Sequence, residues 1–243
     1  MSEIDTLLFD FGGTLDADGV AWKERFYKFY GAEGLDMSAD TFESHFFAAD
    51  SSLIGRLPPE TDLSETVSAL ATKLETKLPQ YSARRSKSVI ANRGNNGDRG
   101  VRVASRFLSE AAAALTRNRP VLEVLRERYR LGIVSNFYGN LEAVCHGAGL
   151  ASLFAVLVDS QRVGAEKPDP AIFRAALDTL HSTPERTALV GDSLRRDREG
   201  ARRTGMRFIW IAPEDVQTAE VQARGCPAED TVTELADLLK ILK

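Results

Sequence analysis

The sequence lacks any apolar run approaching the roughly 20 residues that cross a bilayer, and no basic region, apolar segment and small-residue cleavage site follow one another at its start. We therefore expect neither a membrane span nor a secretory signal. Cysteine is also scarce, and because the spacing of Cys145 and Cys226 is not that of a metal site, we expect two free thiols in a reducing cytoplasm. Basic residues are not in excess, since the net charge is −4, so no nucleic-acid partner is expected.

Short apolar segments recur along a chain of 243 residues that is 43% apolar and 27% charged, a composition typical of a globular protein. Five of these segments are predicted as strands: Thr6–Phe11, Leu131–Ser135, Ala155–Asp159, Ala188–Gly191 and Phe208–Ala212. Helical patterns alternate with the later strands, at Arg119–Tyr129, Pro170–Leu180 and Leu194–Thr204, the last followed by a capping Gly205. This alternation predicts an α/β fold with a parallel sheet and right-handed crossovers.

The interval from 17 to 118 breaks the alternation because it is rich in helix formers and has no convincing strand. Its helical patterns are Val20–Phe29, Ala39–Ala49, Leu63–Leu78 and Val103–Leu115. We interpret it as a helical insertion whose aromatic residues (Trp22, Phe26, Tyr27, Phe29 and Tyr30) pack internally. Within it, 82–102 is basic, polar and glycine-rich, which favours a mobile surface loop; a basic flap over an anionic substrate is the alternative.

Polar residues follow the predicted strands where each strand ends. They are Asp10 with Gly12, Gly13 and Thr14; Ser135 with Asn136; Lys167; and Asp192 with Asp197. The carboxyl ends of parallel strands meet at one edge of a sheet, where ligands bind in open α/β folds. We therefore expect these four groups to form one site.

Phosphoryl transfer is the chemistry that these residue types favour. It needs an in-line nucleophile, neutralised charge on the phosphoryl oxygens and a positioning cation. Asp10 can serve as the nucleophile, and Asp10 with Asp192 can offer the carboxylates that Mg²⁺ prefers. Hydroxyls such as Ser135 and Thr14, together with turn amides and the Lys167 ammonium, can hold phosphate oxygens.

Each group also has a purely structural alternative. Asp10 could cap a turn, and Ser135, Asn136 and Asp192 could cap helices. Lys167 could be a solvated loop residue. Asp197, which lies among arginines (Arg195, Arg196 and Arg198), could be an exposed acid on a helix surface.

Taken together, the four groups resemble the motifs of the haloacid dehalogenase superfamily, in the subgroup with a helical cap after the first motif. The stretch 163–173, which reads VGAEKPDPAIF, is close to that subgroup's wording, as are Gly200-Ala201 and Gly205-Met206. The resemblance covers residues 1–16 and about 119–212. It implies a Rossmann-like core, at 1–16 and 119–243, and a mobile helical cap at 17–118 that closes over the site and excludes water.

The resemblance also implies roles for individual residues. Asp10 would be the nucleophile, and Mg²⁺ would be held by Asp10, Asp192 and the carbonyl of Gly12, with Asp197 ordering the water shell of the metal. Ser135 and Lys167 would bind the transferring phosphate; Gly13, Thr14 and Asn136 are further candidates. The expected protein is a cytoplasmic, Mg²⁺-dependent phosphatase, monomeric or homodimeric, acting on a small phosphorylated metabolite.

One position departs from the family pattern. Phosphatases of the family usually carry a second aspartate two residues after the nucleophile, as a general acid and base, and here Gly12 stands there. A positioned acid/base contributes about 10²–10⁴-fold in rate. One hypothesis is a phosphatase in which another group, water or a good leaving group such as an acyl phosphate replaces this role.

Two further hypotheses remain open. The chain could catalyse other family chemistry, such as phosphonoacetaldehyde hydrolysis through a Schiff base on Lys23 or Lys28, or dehalogenation, although Asp192 argues against the latter. It could also be a catalytically weak protein that binds a phosphorylated ligand. The cap would select the substrate, with possible contacts from Lys23, Arg25, Tyr27, His45 and Arg56.

Overall fold

A six-stranded parallel sheet forms the centre of the computed structural model, which describes residues 3–78, 96–213, 225, 227 and 230–242. The strands are β1 (Thr6–Phe9), β2 (Arg130–Ser135), β3 (Val156–Asp159), β4 (Thr187–Gly191), β5 (Arg207–Ile211) and β6 (Thr231–Val232). Their order is β3-β2-β1-β4-β5-β6, and each neighbouring pair is parallel. The predicted α/β class is confirmed, and five strands lie where they were expected. Strand β6 was not predicted, since its two residues carry no periodicity.

The described helices lie in the interval after β1, between the later strands and after β6. They are α1 (Trp22–Ala32), α2 (Ala39–Asp50), α3 (Leu63–Glu75), α4 (Asn96–Arg126), α5 (Leu141–Gly147), α6 (Ser160–Val163), α7 (Pro170–Leu180), α8 (Glu199–Thr204) and α9 (Leu238–Ile241). The helix predicted at Leu194–Thr204 is divided into a π-type turn, Leu194–Arg198, and α8. As predicted, α8 ends at Gly205, whose φ of +85° is left-handed.

Helix α4 corrects the expectation of separate helices at Val103–Leu115 and Arg119–Tyr129. It runs unbroken through Pro120, although an interior proline costs about 3 kcal/mol. Both halves bury apolar residues in the same cluster, including Phe107 and Leu122. Packing on one core therefore outweighs the local effect of the proline. The predicted division between cap and core at 118/119 falls inside this helix.

The basic stretch 82–102 is only partly described. Residues 96–102 form the beginning of α4, so the expectation of a loop is wrong there. The rest of the stretch lies outside the described residues, as does Cys226. Cys145 is a buried free thiol.

Apolar clusters cover both faces of the sheet. One cluster joins Leu7 and Phe9 of β1 to cap residues such as Phe26, Leu70 and Phe107. The cluster on the other face joins strand residues to α7. The predicted packing role holds for Phe26, Phe29 and Tyr30, which are buried. None of the described helices combines the length and apolar character of a membrane span.

Candidate active site

Asp10 lies directly after β1, at the carboxyl edge of the sheet. Its Oδ1 accepts a hydrogen bond of 2.7 Å from Ser135 Oγ, which ends β2, and lies 2.8 Å from Lys167 Nζ. All three side chains are almost fully buried. The structure thus brings together a carboxylate, a hydroxyl and an ammonium that the sequence places 125 and 32 residues apart.

Lys167 is held between two carboxylates. Its Nζ lies 2.6 Å from Asp197 Oδ1 as well as 2.8 Å from Asp10. Burial would lower the pKa of Lys167, but the charges of Asp10 and Asp197 outweigh it and raise the pKa above its usual value. Lys167 is therefore a fixed cation, and a solvated loop lysine is excluded by its 4% exposure.

Asn136 positions Lys167 through its backbone. The amide oxygen of Asn136 accepts a hydrogen bond of 2.7 Å from Lys167 N, and its amide nitrogen donates to Lys167 O at 3.2 Å. This pair joins the end of β2 to the segment before α7. Both polar atoms of the Asn136 side chain are thus engaged by the backbone of Lys167. Phosphate binding by Asn136 stays a prediction.

Thr14 and Gly13 position Asp192, which follows β4. The Thr14 hydroxyl donates to Asp192 Oδ1 at 3.2 Å and accepts from Asp192 N at 3.1 Å. A Cβ at position 13 would lie 2.7 Å from Asp192 Oδ2, and the φ of Gly13 is +92°. Only glycine combines this backbone with so close an approach. Phosphate binding by Gly13 and Thr14 stays a prediction.

Asp197 is fully buried, so the alternative of an exposed surface acid is wrong. Its Oδ1 faces Lys167, and its Oδ2 accepts a hydrogen bond of 3.0 Å from Ser193 N. A Cβ on Gly191 would lie 2.5 Å from Asp197 Cγ, so glycine is required there for the carboxylate to fit. In the sequence, this role of Asp197 was indicated by its position four residues after Ser193, in the turn that follows β4.

Three carboxylates cluster at this edge of the sheet. Oxygens of Asp10, Asp192 and Asp197 all lie within 4.8 Å of one another. Burial, and then the charge of Asp10, raise the pKa of Asp192 well above its usual range. Burial likewise raises the pKa of Asp197 to about 6, although Lys167 opposes the shift. With all three carboxylates ionised, the cluster would hold more negative charge than the single ammonium of Lys167 neutralises.

This donor set fits a divalent cation that prefers oxygen ligands. Oδ2 of Asp10 and Oδ2 of Asp192 accept no hydrogen bond from any described residue. Carboxylate oxygens of this kind, completed by a backbone carbonyl and waters, are the ligands that Mg²⁺ prefers. Both oxygens of Asp197 are already engaged, which favours a role beside the cation rather than on it.

Comparison with known families decides the affiliation. The sequence model of the haloacid dehalogenase-like hydrolase family matches residues 4–205. The chain belongs to this family. The resemblance stated from its motifs is thereby confirmed.

Curated relatives of this hydrolase align over part of their length. Haloacid dehalogenase-like hydrolase domain-containing protein 3 from Bos taurus is 38% identical over 114 residues, 46% of this chain and 45% of the relative. Phosphoserine phosphatase from Thermus thermophilus is 43% identical over 77 residues, 30% and 31% of the two chains. Glyceraldehyde 3-phosphate phosphatase from Pyrococcus furiosus is 29% identical over 139 residues, 56% of each. The chain thus spans less than two thirds of each relative.

Solved structures share the fold over the whole chain. The magnesium-bound HAD-hydrolase YfnB from Bacillus subtilis gives a TM-score of 0.56 at 19% identity, covering 100% of both chains. A dehalogenase with an intermediate complex gives 0.61 at 18% identity, covering 100% of this chain and 98% of the other. At these identities the likeness concerns the fold alone, and it confirms the Rossmann-like architecture.

Trp22 fills the space beside Gly12, where phosphatases of the family usually carry their second aspartate. A Cβ at position 12 would lie 3.1 Å from Nε1 of the Trp22 indole. The φ of −78° and ψ of 115° at Gly12 are open to any residue, so the obstacle to a side chain is steric. The expectation that Trp22 only packs is incomplete, because it also lines the cavity above Asp10.

Asp16 holds Trp22 in place, and sequence reasoning gave it no role. This fully buried carboxylate accepts hydrogen bonds from Gly13 N at 2.7 Å, Trp22 Nε1 at 2.8 Å and Arg25 Nη1 at 2.9 Å. Arg25 in turn lies 3.6 Å above the Phe107 ring and donates to the Phe107 carbonyl. The sequence indication of this network was an acidic residue, Asp16, six positions after Asp10 in the segment that follows β1.

A cavity of about 470 Å³ opens above Asp10. Residues from the cap line it together with residues from the loops after β2, β3 and β4: Trp22, Lys23, Glu43, Phe46, Phe47, Asp50, Ile54, Phe137, Tyr138, Gln161, Glu166, Arg195 and Arg196.

Of the cap residues that the sequence suggested as substrate contacts, only some lie where a ligand could reach them. Lys23 lines the cavity and forms an ion pair of 2.7 Å with Glu43. Arg25 is committed to Asp16 and Phe107, and the Tyr27 hydroxyl donates to the Met37 carbonyl. The cavity lining includes none of the remaining candidates, which are Arg25, Tyr27, His45 and Arg56. Lys23 alone of these candidates is placed to meet a ligand in the described cavity.

Proposed function

We propose that this hydrolase is a Mg²⁺-dependent phosphatase that transfers the phosphoryl group of a small phosphorylated metabolite to Asp10 and then hydrolyses the aspartyl-phosphate. The observation that carries the proposal is the convergence of Ser135 Oγ and Lys167 Nζ on one oxygen of Asp10. A buried carboxylate with a hydroxyl and an ammonium beside it has the groups that position and neutralise a phosphoryl group.

The division of labour follows from the contacts. One carboxylate oxygen of Asp10 attacks phosphorus, while the other would be a ligand of Mg²⁺. Ser135 and Lys167 bind the oxygens of the transferring group, and Lys167 also offsets their repulsion from Asp10. Asp10, Asp192 and the Gly12 carbonyl would hold Mg²⁺, with Asp197 beside them. The cation supplies charge neutralisation in the transition state.

Gly12 restricts the substrates that such a site turns over fast. Without an acid at this position, the leaving group must depart without a proton or take one from elsewhere. Substrates with good leaving groups, acyl phosphates among them, meet this condition best. The same absence slows hydrolysis of the aspartyl-phosphate, because no carboxylate at position 12 activates the water.

Relatives support a phosphatase. Phosphoserine phosphatase from Thermus thermophilus and glyceraldehyde 3-phosphate phosphatase from Pyrococcus furiosus are named for small phosphorylated substrates. We extend the proposal to a core at 1–16 and 119–243, a cap at 17–118, and a cytoplasmic monomer or homodimer.

The test is phosphate release from acetyl phosphate and p-nitrophenyl phosphate, with Mg²⁺ and with EDTA, for the wild type and Asp10→Asn. Turnover that needs Mg²⁺ and disappears in Asp10→Asn is the expected result. A folded wild type that binds Mg²⁺ and releases no phosphate from either compound would overturn the proposal.

A Schiff-base hydrolase is the second candidate, and one observation favours it: Lys23 lines the cavity above Asp10. Lys28 is a poor candidate because its side chain is 70% exposed and faces Glu110 at 3.7 Å. Borohydride trapping with phosphonoacetaldehyde tests this candidate. A stable adduct on Lys23, absent in Lys23→Met, would support it, and no adduct would remove it.

A further inference from the structure

A hydrogen-bonded pair joins the cap to the core at the wall of the cavity. Asp50 ends α2, and Tyr138 follows the end of β2 by three residues. The Tyr138 hydroxyl donates to Oδ1 of Asp50. Tyr138 is 5% exposed and packs edge-on against Phe137, with ring centroids 5.1 Å apart. Asp50 is thereby fixed at the cavity wall by a rigid neutral donor.

The second carboxylate oxygen of Asp50 has no hydrogen-bond partner in the part of the chain that the structure describes. No described residue donates a hydrogen bond to Oδ2, and no described cation lies within ion-pair distance of this carboxylate. Glu43, the other acid that α2 contributes to the cavity, is paired with Lys23 at 2.7 Å. Asp50 is therefore the acceptor that α2 leaves open to a ligand.

Burial makes the unpaired carboxylate oxygen of Asp50 energetically unfavourable. It raises the pKa of Asp50; the Tyr138 hydroxyl and the charge of Arg196 oppose the rise, and Glu166 adds to it. Among the described residues these are the titratable and charged groups that act on Asp50. A half-buried carboxylate gains most from a donor that arrives with the ligand, since charge-assisted hydrogen bonds are the strong ones.

The cavity that Asp10 and Asp50 both line has charged as well as apolar walls, with Glu166, Arg195 and Arg196 among its lining residues. Trp22, Phe46, Phe47 and Phe137 line the cavity that both carboxylates share. A compound whose phosphate lies at Asp10 would place its remaining atoms in this cavity, which Asp50 also lines. Asp50 is then placed to meet a polar group on the part of the substrate that leaves.

We propose that Asp50, held by Tyr138, binds a hydroxyl or ammonium group on the leaving group and so selects small phosphorylated substrates that carry such a donor. This inference rests on the proposed phosphatase function and names its substrate class. A site built around a hydrogen bond strongly rejects analogues that lack the donor, because its own polar group is then left buried without a partner.

Matched substrates test the selectivity. Phosphate monoesters of two-, three- and four-carbon chains are compared, each ending in a methyl, a hydroxyl or an amino group. For at least one chain length we expect kcat/KM to be about tenfold or more higher with a terminal donor than with methyl, as befits a hydrogen bond to a charged group. The amino and hydroxyl arms show which donor the site prefers. Equal kcat/KM within all three sets would overturn the proposal.

Variants assign the preference to this pair. Asp50→Ala should bring the donor and methyl substrates to the same kcat/KM. Tyr138→Phe, which leaves Asp50 unanchored, should reduce the preference in part. Asp40→Ala, an exposed aspartate in the first turn of the same helix, is the matched control and should change nothing. An equal loss on every substrate in Asp50→Ala would contradict a selective role.

Binding separates this inference from the phosphatase proposal. In the Asp10→Asn background, calorimetry with the same esters and Mg²⁺ measures affinity without turnover. Tighter binding of the donor esters that disappears in Asp10→Asn/Asp50→Ala supports the inference even if the wild type hydrolyses nothing. Equal affinities for donor and methyl esters would overturn it even if the phosphatase proposal holds.

Discussion

At Gly12 the missing carboxylate is replaced by the indole of Trp22 rather than by open space. The indole Nε1 is fixed by Asp16, a buried carboxylate that also binds Gly13 N and Arg25. The side chain that occupies this space comes from α1, about ten residues after Gly12. A substitution at position 12 therefore acts on the packing between this loop and α1 as well as on the chemistry.

Introducing the family's usual aspartate should not restore fast turnover. Gly12→Asp forces the new side chain against Trp22, because even its Cβ lies 3.1 Å from the indole nitrogen. We expect a lower melting temperature and no increase in kcat with acetyl phosphate. Trp22→Phe relieves the close contact but also removes a donor from the buried Asp16, so the double variant Gly12→Asp/Trp22→Phe should lose less stability than the sum of the two single variants. A rise in kcat for Gly12→Asp alone would contradict this prediction, because it would show that the Trp22 indole moves aside to admit the new carboxylate.

The carboxylate cluster predicts a pH dependence for the protein without metal. Burial raises the pKa of Asp197 to about 6, and that of Asp192 well above its usual range. The folded protein then keeps protons that the unfolded chain has already lost near pH 4. The free energy of unfolding without metal should therefore fall as pH rises from about 4 through 6.

Mg²⁺ should reverse this loss because it replaces the protons. Thermal melting with and without Mg²⁺ should show a larger gain in melting temperature at pH 8 than at pH 5, and Asp192→Asn should diminish the gain. Asp40→Asn, an exposed aspartate on α2, is the control that should keep it. A gain that is the same at both pH values would contradict proton–metal competition at this cluster.

At the scale of elements, the later strands and α7 were predictable because their signals are local. Helix α7 has its proline at the first position, and Asp169 caps it by accepting from Ala171 N. Its predicted bounds, Pro170–Leu180, are the observed ones. The continuity of α4 through Pro120 was not predictable, since a proline favours a break and the packing that overrides it involves residues far along the chain.

The packing of α8 on α7 gives a matched pair of glycine substitutions. A Cβ on Gly200 would lie 2.3 Å from the ring of Phe173, which is fully buried and cannot move aside. Gly200→Ala should cost about 1–3 kcal/mol by overpacking. Gly31→Ala in α1, where nothing lies within 4 Å, should be neutral or stabilise by about 0.4–1 kcal/mol. Urea unfolding measures both, and a neutral Gly200→Ala would show that the two helices can separate without cost.

For the molecule as a whole, the motifs fixed which residues meet at the sheet edge, since the parallel topology follows from the alternation of strands and helices. They could not show that Asn136 and Thr14 contact Lys167 and Asp192, because those contacts depend on loop conformations. Trp22 was equally hidden, since only the folded chain places α1 beside Gly12.

One apolar cluster spans the division between the proposed cap and core. It joins Leu7 and Phe9 of the sheet to Leu70 and Phe107 of the insertion. We therefore expect scanning calorimetry to show one transition, with equal calorimetric and van't Hoff enthalpies. Two resolved transitions would mean that the insertion folds and melts by itself.

The central claim is that Asp10 becomes phosphorylated. Because no acid/base stands at position 12, the aspartyl-phosphate should be hydrolysed slowly enough to be trapped. The decisive measurement is acid quenching of the protein with acetyl phosphate and Mg²⁺, followed by peptide mass spectrometry. One phosphoryl group on the peptide that contains Asp10, removed by hydroxylamine and absent with EDTA or in Asp10→Asn, is the predicted result. Turnover without any phosphoryl group on Asp10 would contradict it.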